Sequence, residues 1–197
     1  MQFPSGIEQF DRNLYLTVNS DWSNSFFDVI MPVIRTKENW IPLYILLAIW
    51  LIYKFKWNGF FVILTIAITV TITDQVSSFI MKPLFARPRP CSIPEIAEHA
   101  NLIIGCSPSY SFTSSHAANH FGLAVVFGLL FLRRSYWFII VGIFWAASIS
   151  FAQVYVGVHY PLDVIGGALL GSFLGFLIYI IAMHFIFKKR NWLNKTL

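Results

Sequence analysis

Two histidines, an aspartate and three cations stand at the ends of long apolar runs in this 197-residue chain. Charge there is costly, so such residues mark a functional site by default. Lys82, Arg87 and Arg89 close the second run, and Ser114, Ser115 and His116 open the third. Gln153 and His159 close the fourth, and Asp163 begins the fifth. Cations beside a helix N-terminus make an anion site, because the first N–H groups of a helix point at bound oxyanions. Lys and Arg then offset charge on a phosphoryl group in its transition state. His159 lies just before Pro161, a favoured first-turn residue, and Asp163 stands four residues beyond the histidine. A carboxylate at that offset can accept from one imidazole nitrogen and leave the other free to attack phosphorus. His116 is the candidate to protonate the leaving oxygen. This chemistry calls for no metal and no cofactor. His120 follows His116 at a metal-binding spacing, but no partner carboxylate or cysteine accompanies it.

The elements that hold these residues belong to a membrane protein. Hydrophobic residues make up 57% of the chain and charged residues 12%, against about 25% charged in a soluble fold. Apolar runs at roughly 40–57, 60–82, 115–132, 136–158 and 161–187 predict about five transmembrane helices in an all-α bundle. Residues 1–38 differ: Ile7, Phe10 and Leu14, then Phe26, Ile30 and Ile34, recur at helical spacing with Asp11, Arg12, Asp28 and Arg35 between them. That pattern predicts two amphipathic helices at the membrane interface. The domains are therefore an interfacial region 1–38, a transmembrane unit 39–187 and a basic tail 188–197. Gly167, Gly171 and Gly175 give the last span a face for close helix packing, within the bundle or at a dimer seam. Asp74 reads as structural.

The formal net charge of +5 reports topology rather than nucleic acid. Lys54, Lys56, Arg133, Arg134, Lys188, Lys189, Arg190 and Lys195 lie in gaps and a tail free of acidic residues, the positive-inside pattern. It predicts an outside N-terminus, a cytoplasmic C-terminus and an extracytoplasmic site. Residues 1–20 lack a basic start followed by an apolar core, so no cleavable signal peptide is expected.

The segment Lys82-Pro-Leu-Phe-Ala-Arg-Pro-Arg89-Pro90 resembles the Lys-x6-Arg-Pro motif of the type 2 phosphatidic acid phosphatase superfamily. Phe112-Thr113-Ser114-Ser115-His116 resembles its Pro-Ser-Gly-His motif, and Gly157-Val158-His159-Tyr160-Pro161-Leu162-Asp163 the second half of Ser-Arg-x5-His-x3-Asp. The resemblance spans about residues 40–185 with the motifs in order. It implies a metal-independent membrane enzyme that cleaves lipid phosphates. His159 would be the nucleophile, Asp163 its orienting partner and His116 the general acid. Lys82, Arg89, Ser114 and the Ser115 backbone would hold phosphate.

Two departures stand out. Thr113 and Ser115 replace Pro and Gly, which leaves the backbone N–H in place. Ala152-Gln153 stands where the family has Ser-Arg, so Gln153 can donate to phosphate but brings no charge. The arginine's role therefore does not carry over, and Arg87 is the candidate to compensate. Cys91 and Cys106 share one extracytoplasmic loop and are expected to bridge, two free buried thiols being the alternative. The expected partners are the bilayer and a lipid phosphate, in the inner membrane of a bacterium. Isoprenyl diphosphate, phosphatidylglycerophosphate, phosphatidic acid and lipid A phosphate all fit, the first two classes of carrier and glycerophospholipid leading. A phosphotransferase using the same phosphohistidine, or a silent lipid-binding protein, are the alternatives.

Overall fold

The computed structural model describes residues 4–187, so the expected basic tail lies outside the described residues. These residues form nine α-helices and no strand. In order they are α1 (Ser5–Leu16), α2 (Ser25–Arg35), α3 (Ile41–Phe55), α4 (Trp57–Gln75), α5 (Lys82–Phe85), α6 (Pro94–Ala97), α7 (Ser115–Phe131), α8 (Trp137–Tyr155) and α9 (Pro161–Ala182). A π turn at Val76–Met81 carries α4 into α5.

Three runs are long and apolar enough to cross a membrane: Trp57–Phe85, Trp137–Tyr155 and Pro161–Phe187. The other two expected spans are shorter. α7 has 17 residues and α3 has 15. At a rise of about 1.5 Å per residue they reach about 26 and 23 Å, short of the roughly 30 Å hydrocarbon layer. The chain itself sets these limits. α3 stops where Lys56 adopts φ 53°, and α7 begins only after its Ser114 cap.

Glycines set the distance between the two helices that carry the expected site. A Cβ on Gly167 would lie 2.4 Å from the Ser114 carbonyl oxygen, and one on Gly171 2.0 Å from that of Ala118. One on Gly175 would lie 2.7 Å from the oxygen of Gly122. The glycine stripe of α9 therefore lies directly on the backbone of α7, so its packing partner is inside the bundle. Removing three side chains lets two backbones meet, which fixes how the N-terminal ends of α7 and α9 face each other.

Two apolar clusters anchor opposite ends of the bundle. Leu51, Val62, Val126, Leu130, Phe131 and Ile178 pack at one end. At the other, Tyr15, Val18 and Met31 of the N-terminal region pack with Ala152, Tyr155, Val158 and Tyr160. The N-terminal helices thus dock on the α8–α9 turn. The amphipathicity of α1 runs opposite to that of a helix on a soluble core, whereas α2 packs Phe27, Met31 and Ile34 against the protein. Ile7, Phe10 and Leu14 are 48%, 66% and 36% exposed, while Asp11 and Tyr15 are fully buried. The polar stripe of α1 faces protein and its apolar stripe faces out. Asn19 confirms the docking by donating from Nδ2 to the carbonyls of Tyr155 and Asn101, at 2.6 and 2.9 Å.

Candidate active site

The site forms where α5, α7, α8 and α9 end together, and each end is shaped by its local sequence. Ala86 takes the left-handed conformation and ends α5. Pro88 and Pro90 then keep Arg87 and Arg89 out of a helix, because a residue before proline is disfavoured there. At the end of α8, Gly157 has φ 91°, a backbone turn that side chains resist. A Cβ there would also lie 2.8 Å from Leu102. This turn presents the Val158 carbonyl and the His159 ring side by side. Pro161 opens α9, and Asp163 reaches back to accept from the Tyr160 N–H at 2.8 Å, fixing the carboxylate at the helix start.

Asp163 is fully buried and saturated with donors. Its Oδ1 accepts from Arg87 Nη1 at 2.8 Å, and its Oδ2 from the Ser111 hydroxyl and the Tyr160 N–H. His159 Nδ1 lies 3.4 Å from Oδ2, within reach of a hydrogen bond once the ring settles on a substrate. On the far side of the ring, Nε2 lies 3.3 Å from Arg89 Nη1. Burial pushes His159 down to about 4, with Arg89 and Lys82 adding to the effect and Asp163 opposing it. The imidazole is therefore neutral at pH 7, with a lone pair beside a guanidinium, an arrangement that can serve a nucleophile next to an anion.

Arg89 is itself locked. It donates from Nε to the Ser109 carbonyl and from Nη2 to the Ser109 hydroxyl, at 2.8 and 2.9 Å, and from Nη1 to the Val158 carbonyl at 2.8 Å. Ser109 follows the bridge between Cys91 and Cys106, which closes a 15-residue separation in the preceding loop. Lys82 lies within electrostatic range of Arg89, Asp74 and Asp163.

The second motif is held by hydroxyls. Ser77 Oγ bonds to Thr113 Oγ1 and Ser115 Oγ, each at 3.0 Å, and Ser78 Oγ to Ser115 Oγ at 3.1 Å. The Ser114 N–H donates to the Asp163 carbonyl at 2.9 Å, tying α7 to α9. Ser114 then caps α7, its Oγ accepting from Ala117 N–H and its carbonyl from Ala118 N–H. The N–H groups of Ser115 and His116 are left to face an anion. His120 donates from Nδ1 to the His116 carbonyl at 2.7 Å, and its Nε2 meets the Tyr44 hydroxyl at 3.4 Å. Both nitrogens are thereby used structurally. Asp74 accepts from Asn119 at 3.2 Å, joining α4 to α7.

His116 and Ser115 also line a cavity of about 1310 Å³ between α3, α4, α7 and α8. Its walls are mostly apolar, with Leu47, Ile66, Leu123, Phe127 and Trp145 among them, and Lys37 and Asp74 also in the lining.

Arg87 corrects the sequence reading. Its guanidinium donates to Asp11 Oδ2 at 2.6 Å as well as to Asp163, and it stacks 4.0 Å above the Tyr160 ring. Two carboxylates and an aromatic face hold it as a clasp between α1 and α9, away from the role of spare phosphate ligand. Asp11 completes the clasp by accepting from the Leu162 N–H at 2.9 Å. Gln153 is fully buried, and its Oε1 accepts from Arg35 Nε at 3.3 Å. Asp11, Ser109 and Ser111 carry no sequence signal of their own, since each lies outside the motifs.

The family model of the PAP2 superfamily matches residues 58–187. A lipid A 4'-phosphatase of Bacteroides thetaiotaomicron is 36% identical over 89% of this chain and 78% of its own length. One from Porphyromonas gingivalis is 29% identical over 96% of this chain and 79% of its own. Among solved structures, a transmembrane PAP2-type phosphatidylglycerolphosphate phosphatase from Bacillus subtilis superposes with a TM-score of 0.71. It is 20% identical, covering 92% of this chain and 89% of its own, and shares the fold.

Proposed function

The chain belongs to the PAP2 superfamily, and from that premise we propose an integral membrane phosphatase that removes a phosphomonoester from a glycolipid of the lipid A class. The names of the two relatives support this substrate over the isoprenyl and glycerophospholipid phosphates that the motifs alone favour. The observation that carries the mechanism is His159, with a carboxylate behind one nitrogen and Arg89 beside the other.

His159 Nε2 attacks phosphorus while Nδ1–H turns to Asp163. The bond from phosphorus to the lipid oxygen breaks, and His116 gives that oxygen its proton. The phosphoryl group now sits on His159. Water then attacks it, His116 takes a water proton, and phosphate leaves with the imidazole restored. Lys82, Arg89 and the N–H groups of Ser115 and His116 hold the phosphoryl oxygens throughout. The acyl chains occupy the apolar cavity, which places the headgroup at His116.

Residues 39–187 form the transmembrane unit with five spans, α3 and α7 being the thin ones. Residues 1–38 lie at the interface with Phe10, Phe26 and Val29 turned towards lipid, each more than half exposed. Lys54, Lys56, Arg133 and Arg134 lie at the helix ends opposite the site, which supports an extracytoplasmic site and N-terminus.

Phosphate release in EDTA from lipid A, phosphatidylglycerophosphate, phosphatidic acid and undecaprenyl diphosphate tests the reading, with His159→Ala alongside. Release fastest from lipid A and absent in the variant is the expected result. Release that survives His159→Ala overturns the phosphohistidine, and a preference for another lipid overturns the substrate.

A further inference from the structure

Gln153 occupies the place of an arginine that this kind of site uses, and the charge has not vanished. Arg35 ends α2, and its Nε donates to Gln153 Oε1 at 3.3 Å. We infer that Arg35, delivered from the N-terminal region, is the phosphate-binding arginine of this enzyme, with Gln153 as the residue that positions it. The inference rests on the proposed phosphoryl chemistry.

Three observations carry it. First, Gln153 is next to the chemistry. It is fully buried, and its carbonyl accepts from Val158 N–H at 3.3 Å, beneath the turn that presents His159. Second, the polar groups are left over for a ligand. Gln153 Nε2 is buried without a partner among the described residues. Arg35 uses Nε on Gln153, and its two terminal nitrogens make no hydrogen bond among the described residues. A guanidinium whose Nε is anchored presents those nitrogens as a fork suited to two oxygens of one phosphoryl group. Third, the charge reaches the site. Burial lowers Arg89 from the usual guanidinium value, Asp163 opposes this, and the positive charge of Arg35 adds to it.

The scaffold around Arg35 is built to hold it. Asp28 lies seven residues earlier, two helical turns, and so on the same face of α2. There it accepts from the Tyr155 hydroxyl at 2.8 Å, fixing α2 on α8. At the other end, three of the open carbonyls of the last turn are closed by side chains. Thr36 Oγ1 donates to Pro32 at 2.6 Å, Asn39 Nδ2 to Val33 at 2.9 Å and Trp40 Nε1 to Ile34 at 2.8 Å. The chain is pinned on both sides of the arginine.

The experiment compares wild type with Arg35→Met, Arg35→Lys and the double variant Arg35→Gln/Gln153→Arg. Met keeps the length and packing of the stem without charge. The readouts are kcat/KM for phosphate release, the dissociation constant for inorganic vanadate from thermal shifts, and Tm without ligand. The expected result is about a 10- to 100-fold loss of both kcat/KM and vanadate affinity in Arg35→Met. Arg35→Lys should recover part of that loss, and the double variant most of it. Wild-type vanadate affinity and kcat/KM in Arg35→Met overturn the inference. So does a loss of both that Lys does not relieve, since packing then explains it. Vanadate binding separates the two proposals: a protein that releases no phosphate yet binds vanadate through Arg35 sinks the phosphatase reading alone.

Discussion

Replacing Gly171 with alanine places a methyl group on the line between α7 and α9, the helices whose N-terminal ends meet at the candidate site. An ideal Cβ there lies 2.0 Å from the Ala118 carbonyl oxygen, and ordinary contact begins at 3.4 Å. The obstacle is backbone, so no side chain can swing aside. The axes of α7 and α9 must part by the difference, 3.4 − 2.0 = 1.4 Å, or shear by a similar amount. Overpacking of this kind costs about 1–3 kcal/mol. The catalytic cost should be larger in proportion. Gly171 lies two turns from Asp163, helices are stiff over that length, and Ser114 is tied to Asp163 by a 2.9 Å hydrogen bond. A misplacement on the order of 1 Å between reacting groups costs about 100-fold in rate. The assay is thermal unfolding in detergent together with phosphate release, with Gly6→Ala as control because nothing lies within 4 Å of its Cβ. The expected outcome is a lowered Tm and a much lower kcat at nearly unchanged KM. Wild-type kcat in Gly171→Ala would refute the claim that the glycine stripe sets the geometry of the site.

Three further outcomes are expected. Asp11→Ala removes one partner of a buried ion pair and the acceptor of the Leu162 N–H, so stability should fall by about 3–5 kcal/mol, read from melting curves. Cys91→Ser with Cys106→Ser opens the loop that precedes Ser109, so about 3 kcal/mol of stability should be lost and KM should rise as Arg89 loosens; an unchanged KM would detach the bridge from the site. His159 stands at about 4 when folded and takes the ordinary 6.5 when unfolded, so only the unfolded chain binds the proton between these values. Stability should therefore fall as pH drops through that window, by up to about 3 kcal/mol, and the acid limb of kcat/KM should lie near 4 rather than 6.5.

The residues proposed to meet phosphate were legible because the chemistry dictates their types. His116, His159, Asp163, Lys82 and Arg89 stand at helix ends in a fixed order, and helix ends can be read from hydropathy. The clasp was not legible. Asp11 lies on an amphipathic helix, and a polar stripe looks the same whether it faces water or a buried guanidinium. The same ambiguity hid Arg35, since nothing local says that α2 docks on α8. Arg87 misled for the opposite reason: its place two residues before Arg89 suggested a shared task, but the Pro-flanked chain sends its charge to Asp11 and Asp163 instead. Gly167, Gly171 and Gly175 announced close packing, and only the structure could say that α7 is the partner.

The Asp11–Leu162 contact also sets a clock. The acceptor is in α1 and the donor is 151 residues later, in α9. At about 5–20 residues per second, a nascent chain waits roughly 8–30 s between them. Throughout that interval the clasp lacks α9, and with it Asp163. A half-made chain therefore lacks both the second half of the clasp and the carboxylate behind His159, and the two arrive together when α9 enters the bundle.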